Sequence, residues 1–315
     1  YETAGGRAYR FESAGAFSAG LVLALWFSGR AAPLLPALAV SWVLLLIALH
    51  LAGRFGVRSG RPIAVFFALG LGLLGLLLHG RLEREYQRLY WGGRSVLDSF
   101  DSRYGYLAAV REGSEITIYE DGSPAATFPD PASAERLSHL PLAMISAPRR
   151  VALIGGGLTN LADYILLHPV ERLDYLQLDP GFLDLERRFA PGFDLLVQDG
   201  RVRVHRADGR AWLKSRPGPY DAIIVNLSDP LTAGRSRFYS AEFMAEAREA
   251  LAPDGVFAFT IGSTPPNRRL SPGQLGLLAG ALKTVEAAFP QKVLFTLSEN
   301  IVVAGGEQAR LIADP

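Results

Sequence analysis

The sequence contains no cysteine, so disulfide bonds, thiolate metal sites and a cysteine nucleophile are excluded from this chain. Lysine is scarce as well, occurring only at Lys214, Lys283 and Lys292, whereas arginine is abundant, and we attribute this bias to genomic base composition. The formal net charge is +1 over 315 residues, which gives no general reason to expect a nucleic-acid partner. The histidines are spread along the chain without metal-ligand spacing, and we predict no metal site.

Two other enzyme classes lack their motifs. The glycine turn at 155–160 does not have the spacing G-x-G-x-x-G, which argues against a dinucleotide oxidoreductase, for which Asp179 would be the only ribose-binding acid. A G-x-S-x-G elbow does not occur either, which argues against a serine hydrolase. We find no internal repeat and no low-complexity segment.

Charged residues are missing from three apolar runs near the start, at residues 14–28, 31–52 and 62–80. The last two approach the roughly 20 residues that a bilayer-spanning helix needs. We therefore predict three transmembrane helices at about 12–28, 31–52 and 62–80 in an integral membrane protein of the bacterial inner membrane. Helices buried in a soluble domain are the alternative. The chain begins with tyrosine, which leaves open that further membrane helices precede it.

The most informative stretch is a strand that ends in three glycines. Four apolar residues at 151–154 lead into Gly155, Gly156 and Gly157, and a helix-like segment follows at 161–168. Glycines allow a sharp turn and let a ligand approach the backbone closely. The start of the following helix offers free N–H groups. This pattern predicts the ligand turn of a nucleotide-binding α/β unit.

Further strands are predicted after this turn. Those at 173–178, 202–205 and 220–225 each run into a turn that carries a polar or glycine residue. In an open parallel sheet such ends meet at one edge, where ligands bind. Asp179 and Asp208 are then expected to face a common crevice, and the alternative is that both aspartates cap helices.

These motifs resemble the spermidine synthases, the polyamine aminopropyltransferases. In that family a G-G-G-D-G-G turn is followed by an acidic strand end, a D-G pair and the motif Y-D-x-I-I-x-D-S-S-D-P. This chain has its glycine turn at 155–160, then Gln177-Leu-Asp179, Asp208-Gly209 and the segment 220–230, in the same order. The resemblance covers roughly residues 102–304. Additional matches lie at Glu135, 140–142, 237–243 and 251–256.

The resemblance implies an α/β fold with a Rossmann-like, methyltransferase-type sheet of about seven strands and a small N-terminal β-region. We divide the chain into a transmembrane region at 1–82, a linker at 83–101, the β-region at 102–130 and a spermidine-synthase-type domain at 131–315. Arginine counts on the two sides of the predicted spans nearly balance and do not choose an orientation. We place the large domain in the cytoplasm, where a nucleoside-sulfonium ligand is made. The remaining strands of the sheet are predicted at 255–261, 293–297 and 300–304.

The nucleoside half of the family's site is partly retained. The resemblance implies decarboxylated S-adenosylmethionine, or S-adenosylmethionine, as co-substrate, with no metal. The glycine turn (Gly155, Gly156, Gly157) is expected to pack against the nucleoside, and Asp208 to bind the adenine amino group. Gln177 stands where the family has a glutamate that holds the ribose hydroxyls, and Asp179 lies two residues further on, where it can compensate.

The amine half departs from the family. Leu158 replaces the turn aspartate that holds the aminopropyl amine, and Asn226 replaces the proposed proton acceptor. Ser133 falls where a tyrosine orients the amine. Glu135 and Asp229 are retained as substrate-binding residues, and Asp229 is the candidate substitute base. Because loss of a general base costs about 10²–10⁴-fold in rate, the sequence predicts a depleted amine site.

Two hypotheses follow. In the first, the protein is a membrane-anchored transferase that moves an aminopropyl or methyl group to an unusual small-molecule amine. In the second, it is a catalytically inactive structural or regulatory subunit of a membrane complex. The predicted partners are the lipid bilayer and either other membrane subunits or a second copy of the chain.

Overall fold

The structure is a computed structural model that describes residues 13, 15–18, 39–47, 50, 61–215, 218–264 and 270–312. The chain divides into two compact units, Tyr1–Val110 and Arg111–Pro315. The glycine turn and the strands that follow it all belong to the second unit.

In the first unit, a long helix leads into a strand pair: α1 (Arg61–Tyr90), β1 (Ser95–Asp101) and β2 (Tyr106–Glu112). The helix ends where Gly92 and Gly93 adopt positive φ angles of 59° and 82°, a conformation that glycine takes up without strain. Gln87 anchors this end, because its Oε1 accepts hydrogen bonds of 3.1 Å from both the Trp91 indole and the Tyr106 hydroxyl. Strand β1 forms inside the segment that the sequence analysis assigned to a linker.

The prediction of three transmembrane helices is wrong. Within the part of the chain that the structure describes, no helix is long and apolar enough to cross a membrane. The predicted spans at 12–28 and 31–52 lie largely outside the described residues. The third, at 62–80, forms part of α1, which continues without a break into a segment with charges of both signs. The predicted integral-membrane location is wrong with it, and a lipid bilayer or membrane subunits as partners have no support.

The second unit is built on a seven-stranded mixed sheet, as the sequence predicts. Its strand order is β10-β11-β9-β8-β5-β6-β7. The five strands from β9 to β7 are parallel, and β11 runs antiparallel to both of its neighbours. The strands are β5 (Arg150–Ile154), β6 (Arg172–Leu176), β7 (Val202–His205), β8 (Tyr220–Val225), β9 (Leu251–Ser263), β10 (Gln291–Thr296) and β11 (Glu299–Gly305).

The central strands are mostly apolar because both faces of the sheet are covered. Successive residues of β5 point to opposite faces, so Val151 and Leu153 join one hydrophobic cluster while Ala152 and Ile154 join the other. Helices of the second unit are α2 (Pro131–Leu142), α3 (Leu161–Ile165), α4 (Pro180–Phe189), α5 (Phe193–Gln198), α6 (Gly209–Lys214), α7 (Ala233–Ser236), α8 (Ala241–Ala250) and α9 (Pro272–Glu286), with a 3-10 turn at Arg237–Tyr239.

A β-hairpin precedes the sheet in this unit. Its strands are β3 (Glu115–Glu120) and β4 (Ser123–Phe128), which pair in antiparallel fashion. The turn between them has positive φ at both Asp121 (50°) and Gly122 (76°), as a two-residue hairpin turn requires. The hairpin thus holds β4 in a defined position relative to the rest of the unit.

A buried carboxylate ties three strands together. The Asp174 side chain is fully buried and accepts hydrogen bonds from Arg172 (2.7 and 2.9 Å), His205 (2.7 Å) and the Tyr220 hydroxyl (3.0 Å). Burial by itself raises the pKa of Asp174, but the hydrogen bonds from Arg172, His205 and Tyr220 and the Arg172 charge outweigh it, and the pKa is lowered. This network links β6 to β7 and β8.

Candidate functional site

The glycine turn follows β5 at the centre of the sheet. Gly155 and Gly156 have φ angles of 69° and 62°, which side-chain-bearing residues rarely adopt. A Cβ on Gly156 would collide with the Asn226 side chain, and one on Gly157 would press on the Phe128 ring. The turn therefore needs glycine both for its backbone and for the close approach of its neighbours.

Alanine substitution at Gly156 is expected to cost more than the backbone strain alone. Gly192 offers a matched control, because it also has positive φ (83°) but an added Cβ there meets none of the described atoms within 4 Å. Gly192→Ala is expected to lower the free energy of unfolding by about 1–2 kcal/mol, the strain of a left-handed residue. Gly156→Ala should cost roughly 1–3 kcal/mol more, because it adds a steric clash. Urea denaturation of both variants measures the difference, and equal losses would contradict it.

A buried glutamate forms hydrogen bonds with the glycine turn. Glu186, on α4, accepts hydrogen bonds from the Thr159 N–H (2.9 Å) and hydroxyl (3.2 Å). The Tyr175 hydroxyl lies 2.6 Å from the Gly156 carbonyl oxygen and 3.2 Å from the second Glu186 oxygen. Burial raises the pKa of Glu186 to about 7, against the lowering effect of the hydrogen bonds from Thr159, Tyr175 and Leu158. A carboxyl group that is partly ionised at neutral pH thus lies directly under the turn.

A cavity of about 340 Å³ opens on the other side of the turn. Its walls come from β4, the start of α2, the glycine turn, the loop after β8 and the end of β9. Three carboxylates line it: Asp130, Asp229 and Glu299. The carboxyl ends of β5 and β8 contribute to it, which is where ligands bind in open α/β sheets.

Each cavity carboxylate is positioned differently. Asp130 caps α2 by accepting from the Ser133 N–H (3.1 Å), and Asp229 accepts from the Gly262 N–H (2.7 Å). Glu299 begins β11, and no described residue hydrogen-bonds to its carboxylate. Burial raises its pKa, as do the charges of Asp130 and Asp229, while Arg136 lowers it. The cavity is therefore electronegative and contains one carboxylate whose proton affinity is increased.

The hairpin is hydrogen-bonded to the loop after β8 beside this cavity. The Ser228 hydroxyl donates to the Pro124 carbonyl oxygen (2.5 Å), and Arg235 donates to the Glu120 carbonyl oxygen (2.7 Å). Tyr239 supports the same loop through a hydrogen bond to the Leu227 carbonyl oxygen (3.2 Å). These contacts give the cavity a fixed wall.

Part of the sequence-predicted site lines the cavity and part does not. Gly157, Asn226 and Asp229 line it. Leu158 is fully buried in the hydrophobic core, and Glu135 is exposed on α2, whose cavity-facing residues are Ser133, Ala134 and Leu137. The other predicted residues lie at the same sheet edge outside the cavity lining: Gly155, Gly156, Gln177, Asp179 and Asp208.

The strand ends nevertheless bring these residues into register. Ile154 pairs with Leu176, and Leu176 with His205, so the residues that follow each strand emerge at one edge. Asp179 caps α4 through the Gly181 N–H (2.8 Å), and Asp208 caps α6 through the Arg210 N–H (2.9 Å). Both aspartates thus have the capping role that was the alternative.

Asp208 is engaged at both of its oxygens. Its Oδ1 accepts from the backbone at the start of α6, and its Oδ2 forms a 2.6 Å ion pair with Arg237. Gln177 accepts from the Asp179 N–H at 3.3 Å. The sequence analysis missed Asp130, Glu299 and Glu186, which belong to no motif that it used. The only sequence signal is that Asp130 and Glu299 are acids at element boundaries.

Sequence comparisons find spermidine synthases and a putrescine N-methyltransferase among the similar proteins. Residues 131–269 match the spermine/spermidine synthase domain family. Spermidine synthase 2 of Hyoscyamus niger is 39% identical over 124 residues, which are 39% of this chain and 40% of that protein. Putrescine N-methyltransferase 1 of Nicotiana tabacum is 38% identical over 124 residues, which are 39% of this chain and 33% of that protein. The aligned part thus spans less than half the length of these curated relatives.

Solved structures have the same fold. A spermidine synthase in complex with the transition state analogue AdoDATO superposes with a TM-score of 0.60 at 20% identity, over 69% of this chain and 75% of that one. The spermidine synthase of Thermotoga maritima superposes with a TM-score of 0.58 at 21% identity, over 69% and 74%. At this level of identity the likeness establishes the fold.

Proposed function

We propose, from the match of residues 131–269 to the spermine/spermidine synthase domain family and from the similarity to spermidine synthases, that this chain transfers an aminopropyl group from decarboxylated S-adenosylmethionine to an amine. The observation that carries this proposal is the cavity beside the glycine turn, with Asp130, Asp229 and Glu299 in its wall. An ammonium group that leaves water is stabilised only where carboxylates or other acceptors replace its hydration. Three carboxylates in one cavity suit an amine that carries positive charge.

In this proposal the amine site is rebuilt rather than depleted. Leu158 and Asn226 stand where the family has acids, which argued for a weakened site. Asp130 and Glu299 come from other segments and restore two carboxylates to the same cavity. The changed arrangement supports an acceptor amine that differs in length or shape from that of the relatives.

The proposed reaction is a displacement at carbon. The lone pair of a neutral amine forms a C–N bond to the aminopropyl carbon next to sulfur, and the C–S bond breaks. Its electron pair returns to sulfur, so the sulfonium becomes the neutral thioether methylthioadenosine. The attacking nitrogen then loses one proton to Glu299, whose raised pKa favours this transfer. Asp130 and Asp229 hold the cationic end of the amine.

The nucleoside is proposed to lie along the sheet edge. Gly155, Gly156, Gln177, Asp179 and Asp208 remain its proposed contacts, because the ends of β5, β6 and β7 are in register there. Since Asp208 is paired with Arg237, adenine would have to share or replace that ion pair.

Two other functions remain as outcomes of the test. Methyl transfer from S-adenosylmethionine is favoured by the similarity to putrescine N-methyltransferase 1. A non-catalytic role is favoured by the burial of Leu158 and by the packing of the Asn226 side chain on Gly156, both at positions where the family uses acids.

Mass spectrometry of product mixtures tests the proposal. The purified chain is incubated with a panel of diamines and polyamines of increasing length and either decarboxylated S-adenosylmethionine or S-adenosylmethionine. A product heavier by one aminopropyl group, formed together with methylthioadenosine, supports the proposal. A methylated product reassigns the chain to methyl transfer. Unchanged amines with both donors, from a folded sample, would point to the non-catalytic role.

A substitution at Glu135 distinguishes the role that the resemblance implies from the position that the structure shows. Because its side chain is exposed and does not line the cavity, Glu135→Gln is expected to leave kcat/KM within about a factor of two, the range of surface substitutions. Steady-state kinetics with the acceptor identified by mass spectrometry measure it. A loss of about 10²-fold or more, typical of a catalytic group, would restore the role that the resemblance implied.

A further inference from the structure

The carboxyl group of Glu186 lies against the glycine turn and hydrogen-bonds to it. The side chain is fully buried on α4. Its first oxygen accepts both the N–H and the hydroxyl of Thr159, and its second oxygen lies next to the Tyr175 hydroxyl. The groups that contact the carboxylate come from the turn and from β6, so the carboxylate connects its own helix to the turn.

These contacts use donors that such a turn can offer to an anion. Backbone N–H groups at a turn before a helix favour phosphate and other negative groups. In this chain the Thr159 N–H points to Glu186, and the backbone of Leu158 also hydrogen-bonds to it. The resident carboxylate therefore takes up donors of the turn that an anionic ligand would otherwise use.

The Glu186 charge has no cationic partner among the described residues. The titratable group in contact with it is Tyr175 on β6. The other charged or titratable groups on α4 and on the elements packed against it are Asp179, Asp184, Arg187 and Arg188 at or on α4, Glu115, Tyr119 and Glu120 on β3, and Asp194 on α5. Glu120 has its own partner in Arg235, and Asp179 caps its helix. With a pKa of about 7, Glu186 changes charge in the neutral range.

One residue separates this carboxyl group from the cavity. Thr159, which donates to Glu186, is itself part of the cavity wall, as is Gly157. A charge at Glu186 thus acts on the cavity across one residue, and an interaction over so short a distance is strong. Ionisation of Glu186 attracts a cation bound beyond the turn and repels an anion.

We propose that Glu186 determines the charge selectivity of the glycine turn, so that the adjoining site accepts a sulfonium nucleoside and rejects phosphate-bearing nucleotides. Glu186 acts as a positioning and specificity residue, since it holds the turn and does not touch the reacting atoms. The inference rests on the proposed function, because it concerns the same nucleoside site.

Calorimetric titration at pH 6 and pH 8 tests this inference on the whole chain. Three probes are used: decarboxylated S-adenosylmethionine, neutral methylthioadenosine and ADP. For the wild-type protein, affinity for the sulfonium is expected to rise about fivefold relative to methylthioadenosine between pH 6 and pH 8, which is what a one-unit fall in the pKa of Glu186 from about 7 on cation binding gives over this interval. In Glu186→Gln this rise should disappear, and ADP should bind more tightly than to the wild-type protein.

Asp184→Asn is the matched control, because Asp184 is an acid on the same helix as Glu186 but its side chain is exposed. The pH-dependent rise should persist in this variant. Its persistence in Glu186→Gln, or ADP binding by the wild-type protein as tight as sulfonium binding, overturns the inference. If Glu186→Gln does not fold, as judged by circular dichroism, the amide resonances of Leu158 and Thr159 in the wild-type protein decide. A shift with a midpoint near pH 7 upholds the charge under the turn, and flat resonances overturn it.

The two proposals can fail separately. If the wild-type protein binds neither nucleoside, the proposed function fails. The ADP titration still decides the role of Glu186, because it needs no transferase chemistry. ADP binding gained only in Glu186→Gln upholds anion exclusion, and ADP binding that is equal in both proteins, or absent from both, overturns it.

Discussion

Glu299→Gln is expected to lower kcat for the proposed transfer by about 10²-fold or more, the usual cost of losing a general base. Glutamine keeps the size of the side chain but cannot accept the proton that the attacking amine releases. Glu299 is the suited acceptor, because burial and the charges of Asp130 and Asp229 raise its pKa and no described residue hydrogen-bonds to it. Initial rates at saturating co-substrate, with the acceptor identified by mass spectrometry, measure the effect.

Glu307→Gln is the control for this prediction, because Glu307 follows the same strand but its side chain is exposed. Its kcat should equal that of the wild-type protein. The wild-type rate should also rise with pH as Glu299 loses its proton, and Glu299→Gln should lack this limb of the profile. A variant that keeps both the rate and the limb would show that another group takes the proton.

Asp174→Asn is expected to lower the free energy of unfolding by about 3–5 kcal/mol, the usual cost of removing one partner from a buried ion pair. The wild-type carboxylate satisfies Arg172, His205 and Tyr220 at once, and asparagine offers one acceptor oxygen and no charge. The change therefore leaves the Arg172 guanidinium, whose side chain is 27% exposed, without its anion. Urea denaturation followed by circular dichroism measures the loss.

Asp194→Asn is the matched control, because Asp194 pairs with Arg187 at the surface, where both side chains are more than half exposed. Such a pair contributes about 0–1 kcal/mol. The pH dependence provides a second check. Since the pKa of Asp174 is lowered on folding, its contribution is present above the ordinary pKa of aspartate and is lost as the pH falls through the lowered value. Equal losses in the two variants, or an unchanged acid limb in Asp174→Asn, would contradict the role of this network.

The strands of the sheet could be predicted because each strand is recognised from a short run of neighbouring apolar residues. Strands that are covered on both faces appear as short apolar runs, and β5, β6, β7 and β8 begin and end within two residues of their predicted bounds. The membrane prediction failed because an apolar run says nothing about where its helix ends. The run at 62–80 belongs to α1, which extends to Tyr90 through a charged segment.

The residues of the candidate site were also predictable only where the signal is local. Gly157, Asn226 and Asp229 were found because each directly follows or lies close to a central strand, and parallel strands bring such positions to one edge. Glu135 was misplaced because the face that a helix presents depends on how it docks. On α2 the residues Ser133, Ala134 and Leu137 face the cavity, and Glu135 points to solvent.

The sequence by itself determined where the strands lie along the chain, where the glycine turn lies and which chemistry the motifs permit. These features depend on residue type and on short-range periodicity. Only the tertiary structure decided which carboxylates meet. Asp130, Asp229 and Glu299 stand far apart in the chain, and Glu186 reaches the turn from a helix that begins more than twenty residues later. Their proximity follows from packing of the hairpin, α2 and α4 on the sheet and from the position of β11 within it, and such long-range arrangement leaves no pattern in the neighbouring residues.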